Sequence, residues 1–174
     1  SNEVLIVSYE YNSQQPRFYS KYFAREDPNV YNIMIGNATA ASSSAPTFFD
    51  PKVQVTKYNR TEILVDGGVI CNNPAYYAYQ ITKSFNDVSK KVRLLSLGTG
   101  EKSFTKIDPK SVHKYTFLKM SGEFMMNIDT YTGHWALKKL FKSDPDNYIR
   151  ANIVTELSMD ANSKENIDGL LANG

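Results

Sequence analysis

A short apolar run, Ile63-Leu64-Val65, stops at Asp66-Gly67-Gly68, and Asn72-Asn73-Pro74 follows almost at once. The apolar run reads as a strand. A lone carboxylate at the end of such a strand has two readings. The first is local: Asp-Gly is a common turn pair, so the segment is a β-turn and nothing more. The second is chemical. In open α/β sheets, ligands bind beyond the carboxyl ends of the strands. A partly desolvated carboxylate held there can orient a nucleophile or take its proton. Gly67 and Gly68 then allow positive φ and let another backbone approach closely. Asn72 and Asn73 cap the next helix or hold the loop through side-chain bonds. The residues by themselves leave both readings open.

The rest of the chain surrounds this junction with alternating elements. Val4 to Tyr11 mixes β-branched, apolar and aromatic residues and reads as a strand. Arg17 to Tyr22 reads as a second, shorter one. Asp27 or Asn29 caps a helix start beside Pro28. Val30 to Ser43 is rich in small residues, suited to a helix that lies close to a neighbour, and Pro46 ends it. Val53–Tyr58 and Glu62–Val65 form a hairpin about Asn59-Arg60. Pro74 sits in the first turn of a helix to about Phe85. Val92 to Leu97 has the near-continuous apolar character of a strand buried on both faces of a parallel sheet, closed by Gly98-Thr99-Gly100. Ser111 to about Phe141 reads as helix, interrupted near Thr132-Gly133. Tyr148–Val154 is strand-like, and a last helix starts at Lys164. Strands that alternate with helices predict a layered α/β fold with helices on both sides of a sheet, and residues 1–174 are enough for one domain with a core.

Composition narrows the function classes. Net charge is +2 with the basic residues dispersed, so no nucleic-acid partner is expected. The single cysteine, Cys71, rules out an intrachain disulfide. His113 and His134 form no metal-spaced pair, no carboxylate cluster resembles a calcium loop, and no metal or cofactor is expected. Gly98-Thr99-Gly100 lacks the Lys-Ser/Thr of a phosphate loop and reads as a strand-end turn. Tyr76, Tyr77 and Tyr79 line an acyl pocket or pack ordinarily. The stretch from Phe117 to Met126 is an apolar cover over a lipid site or, on the reading preferred here, a buried helix face. No apolar run reaches the about 20 residues of a membrane span. Cytoplasmic or peripheral-membrane placement is favoured.

Asp66-Gly67-Gly68-Val69 with Asn72-Asn73-Pro74-Ala75 resembles the aspartate motif of patatin-like phospholipases. Further stretches agree in order: Ala38 to Pro46 followed by Phe48-Phe49, Leu94 to Gly100, and Tyr148-Ile149-Arg150 with Met159-Asp160 later. The resemblance implies a three-layer α/β/α sandwich. It implies a lipid acyl hydrolase that works with a serine–aspartate dyad and no catalytic histidine, acting in lipid degradation. By that resemblance Asp66 is the dyad aspartate and general base. Gly67, Gly68, Asn72 and Asn73 support the motif. A phospholipid or other acyl lipid is the substrate, with peripheral membrane contact.

The family's G-x-S-x-G nucleophile elbow and its upstream glycine run are not in these residues. Ser42-Ser43-Ser44 stand in a different motif and read as packing and capping residues. Asn37 stands where many of the family carry an arginine, at or next to this position. The resemblance therefore implies the carboxyl-terminal half of a patatin-like domain, lacking its amino-terminal strands and elbow. The abrupt start at Val4-Leu5-Ile6-Val7 fits a piece of something longer. The expected partner is the missing half, joined covalently or associated. The alternative is a non-catalytic patatin-like module serving as a binding or structural subunit.

Overall fold

The computed structural model of the chain describes residues 3–85, 91–101, 110, 114–155, 157 and 162–173. Its strands are β1 (Ile6–Glu10), β2 (Gln15–Tyr19), β3 (Lys52–Val55), β4 (Thr61–Asp66), β5 (Leu94–Leu97) and β6 (Tyr148–Ala151). Its helices are α1 (Lys21–Glu26), α2 (Pro28–Tyr31), α3 (Ile35–Ser42), α4 (Gly68–Cys71), α5 (Ala75–Phe85), α6 (Lys114–Leu140) and α7 (Lys164–Asn173). The architecture is α/β. One sheet has the order β2-β1-β4-β3 and is antiparallel throughout; β5 and β6 form a second, parallel pair.

The first sheet is organised around β1. Glu10, buried at its end, accepts hydrogen bonds from Asn12 N (3.1 Å), Ser13 N (2.6 Å) and Ile63 N (3.1 Å). One carboxylate thus closes the β1–β2 turn and ties it to β4. Burial pushes its pKa up, but the bonds from Ser13, Ile63 and Asn12 outweigh burial and hold it below the ordinary carboxylate value. Arg17 and Glu62 form a nearly buried ion pair at 2.7 Å, and Gln54 Nε2 donates to the other Glu62 oxygen at 2.8 Å. Every strand of this sheet therefore carries part of its polar scaffold.

The small residues of α3 do what their size suggests. Ala38 and Ala41 are buried against Tyr19 and Leu64, so the helix lies close on the sheet. Its bounds differ from the expected Val30–Ser43. Asp27 caps α2 by accepting from Asn29 N at 3.0 Å, and extended backbone at Met34 separates α2 from α3. The helix ends before Pro46, and the Ser43 and Ser44 hydroxyls satisfy the Thr39 and Ala40 carbonyls of its last turn at 2.9 and 2.8 Å. The β3–β4 hairpin has a longer turn than expected, running from Thr56 to Arg60, with Asn59 in the left-handed region at φ +57°.

Behind β5 and β6 stand α5 and α6. Ala75, Leu137, Phe141 and Tyr148 form this second core, with Tyr76, Tyr79 and Leu94 packed on it. Two expectations are corrected here. α6 runs unbroken through Gly133, because nothing crowds or bends the helix there. The Val92–Leu97 strand is not covered on both faces: Leu95 is 62% exposed and Leu97 73%. Only the Leu94–Ser96 side meets helices. The beginning of the Ser111 helix, and the side chains of Phe117, Leu118, Met120, Ser121, Phe124, Met125 and Met126, lie outside the described residues, as do Met159 and Asp160.

Leu64 is fully buried between the first sheet and α3. Leu64→Ala is expected to lower unfolding stability by about 2–5 kcal/mol. Exposed Val53→Ala should change it by less than about 1 kcal/mol, both read from urea melts.

Candidate functional site

Asp66 is the last residue of β4. Its N–H donates to the Ser44 carbonyl at 3.0 Å, which docks the strand end on the chain leaving α3. The segment after it is not a β-turn. Gly67 lies in the right-handed helical region and α4 begins at Gly68, so strand passes straight into helix. The expected β-turn is thus replaced by a strand-to-helix junction.

The glycines serve proximity, not positive φ. Neither Gly67 nor Gly68 has positive φ, which corrects half of the expectation. A Cβ on Gly67 would collide with the Val7 carbonyl of β1. A Cβ on Gly68 would come within 3.0 Å of Asp66 Oδ1. That oxygen instead accepts the Gly68 N–H at 2.6 Å. The bond holds the carboxylate by one oxygen. No described residue donates to the other.

Asp66 opens on a cleft of about 350 Å³ lined with Thr39, Ser42, Gly68, Cys71 and Asn72 among others. Ser42, read from sequence as a packing residue, thus faces the same cleft as Asp66. Cys71 is no nucleophile: burial, helped by the nearby Asp129 charge, pushes its thiol pKa to about 12.

Asn72 and Asn73 hold the far side of the loop. Asn72 Nδ2 donates to Thr130 Oγ1 of α6 at 3.2 Å. Asn73 Oδ1 caps α5 by accepting from Ala75 N at 3.3 Å, and also accepts the Ser96 hydroxyl of β5 at 3.3 Å. Asn73 N–H donates to Asp129 Oδ2 at 3.3 Å, and its Nδ2 to the Thr130 carbonyl at 3.5 Å. Both expected roles, capping and loop-holding, are present. Asp129 and Thr130 were not foreseen. They lie more than fifty residues along the chain, and no local pattern marks them.

The remaining candidates are structural. Gly98 leaves room for the Asn152 amide, and Gly100, at φ +102°, donates its N–H to Asn152 Oδ1 at 3.0 Å. The Gly98-Thr99-Gly100 turn therefore clasps the segment after β6. Tyr79 packs on Phe141 and Tyr77 on Phe18, with ring centroids 5.1 and 5.2 Å apart. His134 Nδ1 lies 2.7 Å from the Tyr148 hydroxyl; burial, with Lys138 and Arg150 nearby, lowers its pKa. It is a helix-packing histidine, and His113 lies outside the described residues. Among the described residues no group of three or more His, Cys, Asp or Glu is placed to share a metal ion.

An α/β scaffold that presents a clamped aspartate at the junction of a strand and a helix defines the class of site. Comparison with curated proteins names its relatives. The chain is 28% identical over 204 aligned residues to Patatin-like protein 2 of Oryza sativa subsp. indica, covering 98% of this chain and 50% of that protein. It is 32% identical over 118 residues to Patatin-like protein 1 of the same plant, covering 58% and 28%. It is 35% identical over 71 residues to the cUMP-AMP-activated phospholipase of Escherichia coli, covering 40% and 22%. No family model matches. The chain thus resembles patatin-like proteins in sequence, and it spans about half the length of the rice Patatin-like protein 2 relatives it matches.

Gly67→Ala is expected to destabilise the chain by about 1–3 kcal/mol, because backbone of β1 must move to admit the methyl. Gly36→Ala, with open space around it, should be neutral or stabilising in the same denaturant series. A second test uses pH. The Cys71 thiol has its pKa raised from 9.0 to about 12 and the Tyr19 phenol from 10.0 to about 12 by burial, so the folded chain holds these protons longer than the unfolded one. Their contribution is complete below pH 9.0 and declines as pH rises toward about 12. Urea midpoints should fall over that window, and Cys71→Ser should flatten the part of the slope that starts at its lower end.

Proposed function

We propose that this chain supplies the aspartate of a serine–aspartate lipid acyl hydrolase, and forms the carboxyl-terminal part of a three-layer α/β/α domain. One observation carries the reading. Asp66 stands at the end of β4 with one carboxylate oxygen fixed by Gly68 N–H at 2.6 Å, facing a cleft. A carboxylate held by a single oxygen keeps the other as acceptor for a hydroxyl proton. The names of the relatives, patatin-like proteins and a phospholipase, fit an ester of a lipid as substrate.

In this mechanism Asp66 takes the proton of a serine hydroxyl as the serine oxygen attacks the ester carbonyl. Asp66 passes that proton to the leaving alcohol, and an acyl-serine remains. Water then attacks the acyl-serine and gives its proton to Asp66, which passes it to the serine oxygen as the serine–acyl bond breaks and the fatty acid departs. The serine stands on polypeptide outside these 174 residues. Work on a lipid ester places the protein at a membrane surface, which it reaches from the aqueous side. Among the described residues no helix is long and apolar enough to cross a membrane.

The test is fluorophosphonate labelling of the natural polypeptide that contains this sequence, with mass mapping of the labelled peptide. Label on a serine outside the chain is expected. Asp66→Asn should lower esterase turnover by about 100- to 10,000-fold, the usual worth of a general base. Label on Ser42 would move the nucleophile into this chain. Absence of label on folded protein, with Asp66→Asn without effect, would favour the non-catalytic module.

A further inference from the structure

A second cavity, of about 180 Å³, lies across one hydrogen bond from the Asp66 cleft. Asn72 lines the Asp66 cleft, and the Thr130 hydroxyl that accepts its amide lines the second cavity. The other lining residues are Glu101, Tyr131, His134, Arg150 and Asn152. The space equals that of roughly six waters at about 30 Å³ each. That is below the roughly 300 Å³ of a drug-sized pocket, and every lining side chain carries a polar atom, so the cavity suits a small polar group.

Two opposite charges line this cavity without pairing. Arg150 stands on β6, and its Nη1 donates to the Ser96 hydroxyl at 2.8 Å. A guanidinium carries five N–H donors, and no described residue accepts from the others. Glu101 is held separately. Its N–H donates to the Ile153 carbonyl, its carbonyl accepts from Thr155 N–H, and its Oε2 accepts the Asn152 amide at 3.0 Å. No described carboxylate, that of Glu101 included, lies within 4.0 Å of the Arg150 guanidinium. Both charges act on the Tyr131 phenol: burial and the Glu101 carboxylate raise its pKa, and Arg150 opposes them. His134 adds a polar atom without a charge near neutral pH. The Tyr148 hydroxyl occupies its Nδ1 and leaves Nε2, while burial, with Lys138 and Arg150, lowers its pKa. A lone anion in this cavity meets Glu101, and a lone cation meets Arg150; like charges brought together are costly. A molecule with both signs of charge meets a partner for each, through charge-assisted hydrogen bonds.

We propose that this cavity binds a small zwitterion, an oxyanion and an ammonium joined by a few atoms, with the oxyanion on Arg150 and the ammonium on Glu101. The Thr130 hydroxyl and His134 Nε2 are the neutral polar contacts. Such a group exists free, as an amino acid, and on a lipid, as a phosphoethanolamine headgroup. The binding does not depend on the role of Asp66. On the reading of Asp66 as part of a lipid hydrolase, the neighbouring position makes this a headgroup site.

The test is calorimetric titration of the natural polypeptide that contains this sequence with glycerophosphoethanolamine, glycine, glycerol phosphate and ethanolamine. One of the two zwitterions should bind at least about tenfold more tightly than glycerol phosphate and than ethanolamine, which carry one sign of charge each. Glu101→Gln should weaken that zwitterion and tighten glycerol phosphate, each by about tenfold, and the gain is one that damage to the fold does not produce. Arg150→Gln should weaken both of these ligands. No binding of either zwitterion, equal affinity for all four probes, or a folded Glu101→Gln protein that does not gain affinity for glycerol phosphate overturns the proposal. The ranking of probes on the unaltered protein stands even where a variant fails to fold. Preference for glycerophosphoethanolamine, with retention on phosphatidylethanolamine vesicles over phosphatidylglycerol ones, identifies the lipid headgroup; preference for glycine identifies the free amino acid. Fluorophosphonate labelling of the same sample reads the role of Asp66 separately, because zwitterion binding without a labelled serine keeps this site and removes the dyad.

Discussion

The Asn73 side chain is the point on which the site depends. It is buried, and it joins three elements that are distant in sequence: the first turn of α5, the hydroxyl of Ser96 on β5, and the Thr130 carbonyl on α6. A buried amide left without these partners costs about 1–3 kcal/mol per lost bond, so the three elements are held in one arrangement. The other end of the same loop is fixed by Gly67 against the Val7 carbonyl. Asp66 stands between two packed anchors, Gly67 against β1 and Asn73 bonded to β5. Such anchoring suits the general-base role proposed for Asp66, because a carboxylate that must first find its place loses much of its advantage.

The site also shows a division between inert and available groups. Cys71 is close to Asp66 but buried, and the Asp129 charge beside it opposes ionisation. The Arg17–Glu62 pair satisfies itself inside the first sheet, with Gln54 as a third member. These groups support the fold and have no capacity left for chemistry. The Asp66 carboxylate differs because a single backbone N–H restrains it at the edge of a cleft.

Much of this was legible in the sequence where the signal is local. The caps at Asp27 and Asn73, the close-packing face of α3 and the strand ending at Asp66 follow from residue types within one or two turns of each other. The small α4 was not legible, because Gly-Gly is a poor helix former by propensity; the collision that a side chain at Gly67 would have with β1 fixes the backbone there instead. The exposed face of β5 was misread for a different reason. Apolar character states that a residue is to be covered, and says nothing about which polypeptide covers it. Thr130 and Asp129 were invisible because their partners are brought to them only by the completed fold.

The pairing of β5 with β6 has a consequence in time. Leu94 meets Tyr148 only after the chain has passed through the whole of α6, so this contact closes a far longer loop than the β1–β2 and β3–β4 hairpins, whose strands are near neighbours in sequence. Loop-closure entropy delays such contacts. The two hairpins are therefore favoured to form first, whereas the β1–β4 contact of Ser8 with Asp66 closes a loop as long as that of β5 with β6 and is delayed alike. Asp66 at its strand end and Asn73 with its bonds to Ser96 and Thr130 are thus both set by long-range closures, so the site is assembled with the completed fold rather than with its local turns.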